Sequence, residues 1–305
     1  MATKNSRLKN VLPKVDAWAS DSWPQSEWVN EYIAGGGSFA EATDSIFGLY
    51  QMGMTEVSNS LLHAQAGRQV ESIRCMAHGF SRMLYACLTN IHSMANSKDF
   101  YISSLDSITH ELLGAIATGQ MQLVGPFYQV VLEALKNGYG IQDGHNPPLG
   151  TTLRYAAFGL TIIGDWLGKP IDLDKHALPR DPAWGRLVAH WREPDPEKFL
   201  PILLSACDTH IERIAVTERE ANQQAKQFEF NSVFLAVHPT EILAVLRLRE
   251  SLGLTNPDHI DHPLMQTPYA AITCQPGEVT ERDELLDRFL EVVRQRDPQV
   301  LPPGI

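Results

Sequence analysis

Residues 67–93, GRQVESIRCMAHGFSRMLYACLTNIHS, decide the fold. Val70, Ile73, Met76, Ala77, Phe80, Leu84 and Leu88 recur there at intervals of three and four. Side chains at that spacing share one face of a helix that turns every 3.6 residues, so the stretch predicts a long amphipathic helix. The same period extends outward from it. Phe39, Ala42, Ile46, Leu49 and Tyr50 precede it; Leu105, Ile108, Leu112 and Ile116, then Leu123, Phe127, Val131 and Leu135, follow. Asn137-Gly138 reads as a helix stop, and Pro126 is expected to end or offset the first turn of its helix.

Further along, helices are expected near 151–167, 182–191, 196–217, 221–236, 239–252 and 280–296. Pro196 and Pro239 sit where a first helical turn tolerates proline, and Gly168 and Gly253 mark helix ends. Runs in which β-branched and polar residues alternate are nearly absent. The reading is all-α: a helical bundle or irregular α-solenoid of about ten helices. The 34-residue tetratricopeptide pattern is not in register. Residues 1–38, with Trp18, Trp23 and Trp28 closed by Gly35-Gly36-Gly37, read as an irregular lead-in. Residues 39–140 form a first helical part. GIQDGHNPPLG at 140–150 is the clearest break, and 151–305 forms a second part packed against the first.

Composition narrows the function. Of 305 residues, 44% are hydrophobic and 20% charged, a globular balance. Lys plus Arg is 25 against 36 Asp plus Glu, a formal charge of -11, which disfavours general binding of a phosphate backbone. No apolar run is long enough to predict a membrane helix, and the N-terminal MATKNSRLKN lacks the apolar run of a secretory signal. Cys75, Cys87, Cys207 and Cys274 show no CxxC spacing and read as free thiols. The expected location is the cytoplasm.

Motifs for chemistry are incomplete. His110-Glu111 opens an HExxH pattern, but the second ligand position is Gly114. NPDHIDHPL at 256–264 holds two Asp-His pairs and reads as a polar loop, with His259 and His262 expected to be dispensable. Gly164 to Lys169 is one residue short of a phosphate loop and reads as a helix end. Asp208, His210 and Glu212 alternate on a helix and do not converge. The expectation is therefore no catalytic residue, no metal and no cofactor. Acidic residues gather at Asp172 and Asp174, at Glu193, Asp195 and Glu197, and from Glu278 to Glu291, with Trp166, Trp184 and Trp191 close to them in sequence. A rim-exposed Trp beside carboxylates suits an interface with a basic partner. Asp172, Asp174, Glu193, Asp195, Glu197 and Trp191 are the candidate contacts.

The segment AVHPTEILAVLRLRESLGL, residues 236–254, followed by DHPLMQTPYA at 261–270, resembles the C-terminal part of a family of bacterial immunity proteins. These guard a cell against its own polymorphic or contact-delivered toxins, including type VI secretion effectors. The similar residues are His238 to Ile242, Leu246 to Gly253, His262 to Leu264 and Pro268. The resemblance implies an all-helical, non-catalytic protein that occludes a cognate toxin. Competing readings are a helical scaffold, a small-molecule sensor and a helical metal-dependent hydrolase. The hydrolase requires a buried carboxylate–His cluster drawn from distant segments, with His63, His78, His92, His110 and His210 as candidates. Within 236–254, Ile242, Leu243 and Leu246 are expected to face inward, and Arg247, Arg249 and Glu250 outward.

Overall fold

The computed structural model describes residues 6–21, 27–35, 43–94, 103–137, 139, 152–222 and 228–301. Trp23, Gly36-Gly37, Phe39, Ala42, Gly138 and all of the 140–150 break lie outside them, as does the side chain of His92. Among the described residues the chain is all-α. No strand forms, and Ile214 and Phe230 make an isolated parallel bridge. The helices are α1 Ser6–Val11, α2 Val15–Ser20, α3 Glu27–Ile33, α4 Thr43–Gln65, α5 Gln69–Met94, α6 Leu105–Ala117 and α7 Met121–Lys136. They continue with α8 Arg154–Trp166, α9 Pro182–His190, α10 Pro196–Glu212, α11 Glu218–Ala221, α12 Val233–Val237, α13 Thr240–Ser251 and α14 Glu284–Arg296.

α4 and α5 form the scaffold. They are joined at Gly67, whose φ of +71° suits a residue without a Cβ. Gly53 faces Gly79 and Ser60 faces Ser72, so the two helices run antiparallel. A Cβ on Gly53 would stand 2.9 Å from the Gly79 carbonyl, and one on Gly79 equally close to the Gly53 carbonyl. Only paired glycines allow this approach. The two serines bond each other's carbonyls at 2.6 and 2.9 Å, which satisfies polar groups that the contact buries.

The first part of α5 is amphipathic, and its Ser81–Ile91 stretch is buried all round. Val70, on its first turn, is 79% exposed rather than part of the apolar face. α6 lies deepest. Leu105, Ile108, Leu112, Leu113 and Ile116 are fully buried against α5, α7, α8 and α13. Its Gly114 gives way to the Phe80 ring, which a Cβ would meet at 2.1 Å. One apolar cluster runs from Leu8 to Leu301, so the segments on either side of 140–150 share a core. Pro126 does not interrupt α7.

Several expectations change. Residues 6–20 and 27–33 are not irregular but form α1, a 3-10 turn, α2 and α3. Six- and seven-residue helices with Pro13 between the first two show too little period to be read, yet Leu8, Val11, Val15 and Val29 are core. The expected helix at 221–236 is replaced by α11, the bridge at Phe230 and α12, which begins where Ser232 accepts the Leu235 N–H. α13 is buried on nearly every face. Ile242 and Leu243 point inward, but Leu246 is only half-buried, while Arg247 and Arg249 are buried. Arg249 donates to the carbonyls of Trp191, Glu193 and Thr255 at 2.7–2.8 Å and to Asn256 Oδ1 at 2.9 Å, and lies over the Phe199 ring. A planar guanidinium with five donors can pin loops together this way.

Candidate functional site

The acidic residues singled out at 172–197 are present at the surface, but they serve the local fold. Asp172 accepts the N–H groups of Asp174 and Lys175, and Asp174 pairs with Arg180. Asp195 caps α10 by accepting the Glu197 N–H at 3.0 Å and itself donates its N–H to Glu193. Glu197 stands exposed. Between residues 165 and 198 seven carboxylates meet six Lys and Arg, so this face carries little net charge. Trp191 is not a rim anchor. It is 2% exposed, and its indole N–H donates to Asp165 at 2.9 Å. Trp184 is buried against Phe158, and Trp166 is half-buried. From Glu278 to Glu291, Asp283 caps α14 and binds Arg82 through both oxygens, and Glu281 pairs with Arg74.

The face that meets the Trp-beside-carboxylate criterion lies elsewhere. From residue 15 through 67 the chain has seven carboxylates and no Lys or Arg. Asp16, Asp21, Glu27 and Glu31 are exposed on and beside α2 and α3. Trp28 on α3 and Phe47 on α4 are each 45% exposed, and the Trp28 carbonyl accepts the Ser45 hydroxyl, which ties α3 to the start of α4. Arg296 reaches α3, stacked on Tyr32. A count of Lys and Arg along the chain shows this gap; the exposure of Trp28 is not visible there.

The interior holds a second candidate. α6 presents Asp106, Ser107, His110 and Glu111 to a cavity of about 150 Å³, lined on other sides by Tyr50 and Met54 of α4, Tyr155 of α8 and the 228–235 segment. Asp106 is fully engaged: its carboxylate accepts the backbone N–H groups of Thr152, Leu153 and Ala156 at 2.7, 3.1 and 2.9 Å. That pins the start of α8, where Leu153 has a φ of +60°. Glu229 is held by Arg213, Trp184 and Thr152. His110 and Glu111 differ. Among the described residues, His110 Nε2 and Glu111 Oε2 have no hydrogen-bond partner, although both residues are buried. Burial lowers the His110 imidazole to about 3 and raises the Glu111 carboxyl to about 8, so both are neutral near pH 7. Phe80, Phe234 and Tyr155 surround the imidazole.

Of the other histidines, His210 and Glu241 form a closed pair at 2.7 Å with both side chains fully buried. His210 Nε2 donates to the Ala236 carbonyl, and the ring stacks on Phe230 at 3.9 Å. Asp208 and Glu212 do not join it; Asp208 lies 3.4 Å from His262. His238 donates to the Ile272 carbonyl, and burial lowers it to about 4. The two histidines of the 256–264 loop separate: His259 is exposed, whereas His262 is buried and accepts the Leu264 N–H to start a 3-10 turn. His262 is therefore packed into the fold rather than solvated in a polar loop. Gly168 ends α8 with a φ of +66°. Among the described residues no group of three His, Cys, Asp or Glu converges as for a metal, the four cysteines are free and buried, and no helix is long and apolar enough to cross a membrane. No family model, curated protein or solved structure matches the chain.

Proposed function

We propose that this chain is an immunity protein that binds one basic toxin domain in the cytoplasm, in a stoichiometric complex and without turnover, through the face built on α2, α3 and the start of α4. The observation that carries the reading is exposed Trp28 among Asp21, Glu27 and Glu31, in a stretch of fifty-three residues without Lys or Arg. Exposed tryptophans are energetic anchors at interfaces, and carboxylates around one select a basic partner and speed its approach. The formal charge of -11 acts in the same sense at longer range. The resemblance at 236–270 supports the class of function rather than the face, because that segment is mostly core.

The test pairs the protein with the product of the adjacent reading frame and reads growth rescue together with binding kinetics. Glu27→Lys combined with Glu31→Lys should slow association about tenfold at low salt, with a smaller effect as screening sets in over ~8–10 Å. Trp28→Ser should instead speed dissociation, at a cost of roughly 2 kcal/mol in affinity. Unchanged kinetics in both variants would move the interface off this face. A toxic neighbour that is neither bound nor neutralised would end the immunity reading.

A further inference from the structure

We propose that the cavity beside α6 is a binding site for a small organic amine, held as its ammonium ion between Glu111 and His110. This inference is independent of the toxin-binding reading and uses the opposite end of the length scale, a pocket rather than a surface.

The first argument is polar. Two buried atoms, Glu111 Oε2 and His110 Nε2, lack partners, and both residues line the same cavity from adjacent positions on one helix. Buried polar atoms are ordinarily bonded, so two unpartnered polar atoms on residues that line one cavity leave bonding capacity there for a polar ligand. The second argument is the sign of charge. Three carboxyl groups line the cavity and no Lys or Arg does. Asp106 and Glu229 are already occupied by backbone amides, Arg213 and Trp184, which leaves Glu111 as the free one. An anionic ligand would find no cationic side chain in this lining. The third argument is the wall. Tyr50, Tyr155, Phe230 and Phe234 supply aromatic rings around the polar pair. Aromatic rings combined with a carboxylate recognise organic cations. The fourth is size: about 150 Å³ is the space that benzene fills in an engineered protein cavity, so the ligand has on the order of six to nine heavy atoms.

The protonation states make the assignment specific. Facing Glu111 are the Cys87 thiol on α5, 3.6 Å away, and the Tyr50 phenol on α4. Burial pushes both upward and keeps them neutral. Ser103 completes that side by bonding Cys87 at 2.8 Å. On α6 itself stand neutral His110 and engaged Asp106; across the cavity stands Glu229, itself raised by burial. With no cation nearby, Glu111 holds its proton near pH 7. An ammonium ion entering the site draws the Glu111 carboxyl and the His110 ring toward it and donates one N–H to each, and the Glu111 proton leaves to solvent. The ion pair therefore forms with release of about one proton per ligand below pH 8.

The experiment is calorimetry on the full chain with benzylamine, cyclohexylamine and tetramethylammonium as cations, benzyl alcohol as the uncharged match and benzoate as the anion. Each titration is run at pH 7 in two buffers of different ionisation enthalpy. The expected result is binding of at least one primary amine, at least tenfold tighter than benzyl alcohol, with benzoate silent and close to one proton released. Glu111→Gln keeps a neutral side chain of the same shape and should fold normally. It should weaken amine binding at least tenfold and abolish proton release. Binding of benzyl alcohol as tight as benzylamine, an unchanged amine affinity in Glu111→Gln, or no binding of any of the three cations at millimolar concentration would each overturn the assignment.

Discussion

His210 with Glu241, and His110 with Glu111, are two imidazole–carboxyl pairs buried in one core. The first pair spans α10 and α13, and its members bond each other at 2.7 Å. The second imidazole nitrogen is used by the Ala236 carbonyl, and Tyr155 stands 3.5 Å from the second carboxyl oxygen. The second pair sits on consecutive residues of α6. Side chains one apart on a helix diverge by about 100°, so they do not bond each other, and both residues line the same cavity. The comparison separates two uses of the same chemistry. A pair from different helices closes on itself and locks them together. A pair from one helix stays open and leaves its bonding capacity for something else.

The largest effect should come from breaking the closed pair. Glu241→Ala removes the partner of a fully buried imidazole, and removing one member of a buried pair costs roughly 3–5 kcal/mol. Urea unfolding of the variant would show it as a lower midpoint at unchanged slope. A loss below about 1 kcal/mol would mean that the pair does not join α10 to α13 energetically.

Next comes the open pair, where the effect depends on pH. Burial raises Glu111 from 4.5 in the unfolded chain to about 8 in the fold. Its contribution is therefore fully present below about pH 4.5 and is lost as pH rises through 8. Glu111→Gln has no such loss. The two proteins should be about equally stable at pH 5, and the wild type should trail by on the order of 3 kcal/mol at pH 9, below the full linkage value because the cavity wall relaxes. Parallel urea curves that stay superimposed at both pH values would show Glu111 ionised throughout, and the open pair would no longer differ from a surface carboxylate.

These sites also mark how far the sequence could be read. The long helices α5, α6, α7, α10 and α14 follow from apolar spacing alone, because each buries a stripe wide enough to repeat several times. The adjacency of His110 and Glu111 is equally plain, but Gly114 in the next ligand position argues against a metal and leaves the two without a role. What gives them one is the cavity, and its walls come from α4, α8 and the 228–235 segment, whose approach no local pattern records. Arg249 fails for a related reason. An arginine at the end of an apolar helix reads as solvated, yet three loop carbonyls from residues 191, 193 and 255 take it inward. Trp28 is the opposite case: it reads only as part of an irregular lead-in, and the fold places it on a helix that leaves it uncovered. The legible part is what a residue does within its own helix; the illegible part is which distant groups meet it.

The smallest expected effect is the sharpest discriminator between the pairs. His110→Phe replaces an imidazole whose Nε2 has no partner among the described residues with a ring suited to Phe80, Phe234 and Tyr155 around it. Replacing an unsatisfied buried polar group with an apolar one of similar shape is close to neutral, and the adjoining cavity gives the slightly larger ring room. At pH 8 the change should stay within about 1 kcal/mol. His110 is held down from 6.5 to about 3, so its contribution is present above pH 6.5 and is lost as pH falls toward 3. Phenylalanine has no such dependence, and the variant should gain on the wild type steadily between pH 6.5 and 4. His210→Phe, in contrast, strands Glu241 and the Ala236 carbonyl and should cost several kcal/mol at pH 8. Measured side by side, equal losses for the two substitutions would mean that His110 has a partner in the folded protein after all, and that the open pair is as closed as the other.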